Sequence, residues 1–172
     1  MRRVSLNARL AFEAEVSDEI EIVLIQIEHS DLATPVRLST DPTVRLSSDP
    51  LMYGTHSDWL GAADGPFLFI LASAEMPSDQ EDAPAAARII LENVDGRIAG
   101  VLREMPGRAV VHLGVVLASS PDVVEVEYLN LQLLSSSGDV AQISLSIGRR
   151  PVEEEAFPSG RFTKARFPGL FA

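Results

Sequence analysis

The stretch from Ile20 to His29 constrains the fold more than any other part of the chain. Ile20, Ile22 and Leu24 alternate with Val23, Ile25 and Ile27, so an extended backbone here presents apolar, mostly β-branched side chains on both faces. Such a strand is buried on both sides or lies at an assembly surface. Neighbouring segments keep the period of two. Val36 and Leu38 flank Arg37, and Val44 and Leu46 flank Arg45, which predicts two half-exposed strands punctuated by Asp41-Pro42 and Asp49-Pro50. Residues 54–65, with Gly54, Gly61 and the only tryptophan, Trp59, read as a loop or hairpin tip. Pro66 to Ser73 reads as a core strand and Arg88 to Leu91 as a short one. Ala109 to Ala118, Val123 to Leu134 and Val140 to Ile147 read as three closing strands joined by serine-rich linkers.

Two helices accompany the strands. Ser5 is placed to cap a helix reaching Val16, with Leu6, Leu10 and Ala14 on one face. Asn93 is placed to cap a second, Val94 to Glu104, which Pro106-Gly107 stops. Regular strand–helix alternation is absent, which excludes a doubly wound parallel sheet. The expected fold is mainly β (α+β), an antiparallel β-sandwich or half-barrel flanked by one or two short helices. It occupies residues 1–150, and a Pro/Phe-rich tail occupies 151–172. Ile22, Leu24, Phe69, Leu71, Val111, Leu113 and Ile143 are the expected core.

Charge narrows the functional classes. Asp plus Glu number 25 against 14 Lys plus Arg, for a net charge of −11, so no basic footprint exists to displace phosphate counterions from nucleic acid. With no cysteine, a disulfide framework, zinc–thiolate sites and a thiol nucleophile are excluded. Ser5-Leu6-Asn7-Ala8-Arg9 follows the basic start where a secretory leader needs an apolar run, and the longest apolar stretches are about half the ~20 residues of a membrane span. A chain free of membrane insertion, made in a cytoplasm, is expected. Glu75 to Pro84 is acidic and proline-bounded, and reads as a solvated loop.

Catalytic patterns are weak. His29-Ser30-Asp31 and His56-Ser57-Asp58 repeat one tripeptide that offers metal-ligating types, but Ser-Asp after a strand is ordinary turn chemistry. His112 interrupts an apolar strand and reads as a core or interface histidine. No Gly-x-Ser-x-Gly elbow, phosphate-binding glycine loop or dinucleotide fingerprint occurs. Of the acid pairs, Glu125/Glu127 reads as the wet face of a half-buried strand and Glu153/Glu155 as a solvated spacer. No catalytic, cofactor-binding or metal-ligating residue is assigned, and no cofactor is expected. The tail is the exception to this blandness. Phe157, Phe162, Phe167 and Phe171 are four of the seven phenylalanines, interleaved with Arg161, Lys164 and Arg166 in a segment whose prolines deny it a helix. These residues are the interface candidates: aromatics on an extended segment dock into a body, the chain's own or a neighbour's.

Several segments carry a family likeness: Ile20 to Leu38, Phe67 to Pro77, Ile89-Ile90-Leu91-Glu92-Asn93-Val94-Asp95, and Phe167-Pro168-Gly169-Leu170-Phe171. Together they resemble the small minor-tail and distal tail proteins of long-tailed bacteriophages and prophages, similar in role to the lambda minor tail M type. The resemblance implies a tail-tube-like sandwich, no enzymatic activity, and a structural virion protein of the tail tip. It implies assembly with itself into a ring, taken as hexameric, between the tail-tube protein and the tail-tip hub proteins. DNA passes through such a ring without specific binding, and an acidic lining suits that passage. Other classes remain open: a tail assembly factor absent from the mature virion, or a metal-dependent hydrolase or ligand-binding β-barrel built on the His-Ser-Asp sites.

Overall fold

The computed structural model describes residues 4–75, 86–92, 109–138, 142–149, 163 and 166–170. Ser5 caps helix α1 (Leu6–Glu13), its Oγ accepting the Ala8 N–H at 3.1 Å. The strands are β1 (Glu21–Glu28), β2 (Val36–Ser39), β3 (Val44–Ser48), β4 (Leu51–Thr55), β5 (Phe67–Phe69), β6 (Leu71–Glu75), β7 (Ala86–Glu92), β8 (Val110–Leu117), β9 (Ser120–Gly138) and β10 (Gln142–Gly148). A 3-10 segment, Trp59–Asp64, lies between β4 and β5.

The described chain is mainly β, and its strands form one mixed sheet in the order β3-β4-β5-β2-β1-β8-β9-β10-β7-β6. All pairings are antiparallel save one. β2 and β5 run parallel, Leu38 opposite Leu68, because the β3–β4 hairpin and the 3-10 segment carry the chain back to the flank of β2 in its original direction.

Ile70 alone separates β5 from β6, yet β5 lies beside β2 while β6 lies beside β7. Side-chain alternation continues through that junction. Ile70 is buried, with Ala72 and Ala74 packed against the same core, while Phe69 and Leu71 face outward. β5 and β6 are therefore two halves of one bent strand, and the sheet rolls until β7 meets the continuation of the strand that borders β2. Inside the roll, Ile25, Ile27 and Leu38 meet Ile89, Leu91, Val111, Leu113, Leu131, Ile143 and Leu145 in the larger core.

A smaller core sits on the outer face, where Trp59, Ala62 and Phe67 cover Ile22, Leu24 and Val116. The rings of Trp59 and Phe67 stack with centroids 6.0 Å apart. Gly114 permits this cover, since a Cβ there would lie 3.0 Å from Trp59 Cζ2. β1 is thus buried on both faces, as its two-sided apolar run predicts.

Four expectations need correction. Phe69 and Leu71 are 37% and 56% exposed, because the inward positions of their bent strand are Ile70, Ala72 and Ala74. The stripe Leu6, Leu10, Ala14 does not pack; α1 buries only Ala8 and ends at Glu13. Gly54 and Thr55 belong to strand β4, paired with Leu68 and Phe67, instead of opening a loop. Glu75 closes β6 opposite Arg88. The second helix, residues 94–104, and residues 76–84 of the acidic loop lie outside the described residues.

Candidate functional site

Polar chemistry gathers where β9 departs from regular pairing with β8. Leu113 lies opposite Tyr128 and Val111 opposite Leu131, so Leu129 and Asn130 together face the single residue His112. That bulge holds Asn130 at φ 57°, in the left-handed region that Asn tolerates better than most residues. Val115 lies opposite Val126 and Val116 opposite Val124, which leaves Glu125 as the extra residue of a second bulge.

At the first bulge the Asn130 N–H donates to His112 Nδ1 at 3.2 Å, so the neutral ring carries its proton on Nε2. That nitrogen is 3.8 Å from Glu28 Oε1. Cross-strand pairing sets His112, Gln26 and Arg37 in one row over β8, β1 and β2. The Gln26 Nε2 donates to Glu28 Oε1 at 2.8 Å, Arg37 Nε donates to Gln26 Oε1 at 3.2 Å, and Arg37 Nη1 donates to the Gly65 carbonyl at 3.3 Å. Gln26 and His112 are buried; Gln26 bonds within the row and His112 Nδ1 bonds the backbone, while His112 Nε2 stays beyond hydrogen-bond distance of Glu28. Such a closed set fixes register and leaves little to offer a ligand.

The second bulge differs. Glu125 is 8% exposed, its Oε2 accepting the Ser5 N–H at 2.7 Å, which ties the start of α1 to the sheet. Its Oε1 is buried without a hydrogen-bond partner among the described residues. The side chain lines a cleft of about 190 Å³ beneath α1, walled by Val4, Phe12, Val115, Leu117 and Val126, with Glu21 and Tyr128 completing the lining. An unpaired carboxylate oxygen withdrawn from water normally costs free energy, on the order of 1–3 kcal/mol or more, so this atom marks the candidate site.

The Glu125/Glu127 pair is therefore corrected. Glu127 is exposed as a wet-face residue should be, but the bulge turns Glu125 inward. The two His-Ser-Asp tripeptides lie at separate places: the first makes a local turn and the second ties its loop to the start of β9. His29 Nδ1 accepts the Asp31 N–H at 3.2 Å; Ser57 Oγ donates to the Pro121 carbonyl at 2.8 Å and accepts the Trp59 N–H at 3.2 Å; the Asp58 N–H donates to Asp122 Oδ1 at 2.9 Å. Of the interface candidates, Arg166 and Phe167 are exposed, and their N–H groups both donate to the Thr163 carbonyl. Phe157, Arg161, Phe162, Lys164 and Phe171 lie outside the described residues, as do Glu153 and Glu155.

Sequence reasoning missed Gln26, Arg37 and Glu28. One polar residue inside an otherwise apolar two-sided run was the available signal for Gln26. Nothing in the spacing marks Glu125, since an inserted residue reverses the alternation without a glycine or proline to announce it. No family model and no curated protein matches the chain.

Proposed function

We propose that the chain is a non-catalytic structural subunit that assembles with copies of itself into a ring in the distal tail of a long-tailed phage, between the tail-tube protein and the tail-tip hub. The observation that carries this reading is exposed apolar surface grouped on α1 and on the β3–β4 hairpin. Leu6, Leu10 and Phe12 on α1, followed by Val16, and Val44, Leu51, Met52 and Tyr53 on the β3–β4 hairpin, are all exposed. Scattered exposed hydrophobics are ordinary, but grouping on an edge hairpin and a helix suits subunit contact. Among the described residues β3 ends the sheet order, so its outer backbone has no paired strand there and is able to add a neighbour's. A rolled sheet with a flanking helix is compatible with the sandwich of tail-tube type that the family resemblance implies. The net charge of −11 suits a lumen through which DNA slides without binding.

Residues 151–172 are the second contact in this reading. Their aromatic and basic residues oppose an acidic body, so a neighbour attracts them and added salt weakens the contact. Removal of 151–172 is expected to leave a folded monomer that no longer assembles, read by circular dichroism and sedimentation velocity. An unfolded truncation would place the tail in its own core. A full chain that sediments as a monomer at every concentration would overturn self-assembly. Mass spectrometry of purified virions separates a structural subunit, present at stoichiometric level, from an assembly factor that leaves the particle.

A further inference from the structure

We propose that the cleft beneath α1 is a binding site for a protonated amine carried on a small apolar body, with Glu125 as its counter-ion. Three features of the site select this chemistry. Most of its wall is the aliphatic and aromatic side chains of Val4, Phe12, Val115, Leu117 and Val126, which bury an apolar body, and its polar groups are the two carboxylates and the Tyr128 hydroxyl. Both carboxylates of the lining, Glu21 and Glu125, are acceptors when ionised, and no basic residue lines the cleft among the described residues. Glu125 Oε1 is buried without a partner among the described residues while Oε2 is already occupied by Ser5, so one acceptor of fixed position is left over.

An ammonium group answers that vacancy better than a hydroxyl. A neutral donor supplies a hydrogen bond but leaves the charge uncompensated in dry surroundings, whereas an ammonium supplies both. Size limits the body. Cavities of roughly 150 Å³ lined by hydrocarbon accept benzene, so about 190 Å³ suits a benzyl or phenethyl group and excludes a drug-sized molecule. Access is through α1, and Oε1, closed to solvent in this structure, meets a ligand only when the helix lifts. The helix is fixed by the Ser5–Glu125 bond and by burial of Ala8, and an element with so little buried surface opens at low free energy. The acidic body raises the local concentration of cations around the entrance.

The experiment titrates the full chain with phenethylamine and with 2-phenylethanol, its neutral isostere, following backbone amide shifts by NMR. Phenethylamine is expected to shift the amides of Val115, Leu117 and Val126 saturably and to bind about tenfold more tightly than the alcohol. Glu125→Gln keeps an oxygen for the Ser5 N–H and should remove most of that tenfold preference. Phe12→Ala changes an exposed residue that the fold tolerates, and should weaken both ligands severalfold by removing a wall. Equal binding of amine and alcohol, an unchanged preference in Glu125→Gln, or no shift at these amides at millimolar amine would each overturn the assignment. If Glu125→Gln fails to fold, the amine–alcohol comparison on the native chain and Phe12→Ala decide the matter.

Discussion

The bulges of β9 at Asn130 and Glu125 are built alike and end differently. Each inserts a residue opposite β8, and each brings a polar group to a strand that is otherwise apolar. At Asn130 the inserted backbone N–H meets His112, and through Gln26, Glu28 and Arg37 the polar groups run from β8 to β2. At Glu125 one oxygen holds α1 and the other is left buried and unpaired. Bulges re-aim side chains in both cases, so geometry alone does not separate a structural bulge from a functional one. A fully buried oxygen without a partner among the described residues, present at Glu125 and absent at His112, does.

Substitutions can break this contrast. The largest effect is expected at His112→Phe, which keeps an aromatic ring, somewhat larger, but leaves the Asn130 N–H without its acceptor. A loss of about 1–3 kcal/mol in urea denaturation is expected, and a loss too small to measure would mean that the first bulge is not held by this bond. Asn130→Val comes next: a β-branched residue at φ 57° costs about 1–2 kcal/mol, whereas Asn130→Gly should stay near neutral. Equal stabilities for those two variants would show that the backbone has left the left-handed region.

Glu125→Gln sharpens the contrast from the other side. It removes a charge whose second oxygen is unpaired and retains an acceptor for Ser5, so stability should move by less than about 1 kcal/mol. A much larger loss would show that Oε1 is paired after all. The smallest effect lies at Glu19, at the foot of the β8–β9 turn. The Ser119 N–H donates to its Oε1 at 3.0 Å and holds its carboxyl below the ordinary value of 4.5. A carboxyl whose pKa is depressed on folding stabilises the native state above its unfolded pKa and loses that contribution as pH falls through the folded one. Glu19→Gln should therefore flatten the acid limb of the stability–pH curve slightly, the group being almost fully solvated. Superimposable curves for variant and native chain would remove Glu19 from acid sensitivity.

Much of the strand content was legible because burial and alternation agree. The two-sided run of β1, the strands β8 to β10 and the Ser5 cap all follow from local pattern. What could not be read was register. Phe69 and Leu71 belong to the same apolar run as Ile70, and only the bend that joins β5 to β6 decides which of them points inward. β4 was hidden because Pro50 and Gly54 bracket just three apolar residues. The candidate site was illegible for a related reason: Glu125 sits in an alternating stretch with Val124, Val126 and Glu127, and pairing partners far along the chain decide its face.

The single-residue junction at Ile70 also governs how this chain reaches its native state. Until residues 67–75 bridge β2 and β7, the nascent sheet has two open borders, each a row of unsatisfied amides and carbonyls next to strongly apolar side chains. Its central ladder joins Ile25 to Leu113, so few of the decisive contacts are local, and folding is expected on the millisecond-to-second scale of high-contact-order folds. In that interval a second molecule competes with the chain's own clasp for the same borders. Yield on refolding should therefore fall as concentration rises, and the bend at Ile70 is where intramolecular closure and aggregation part ways.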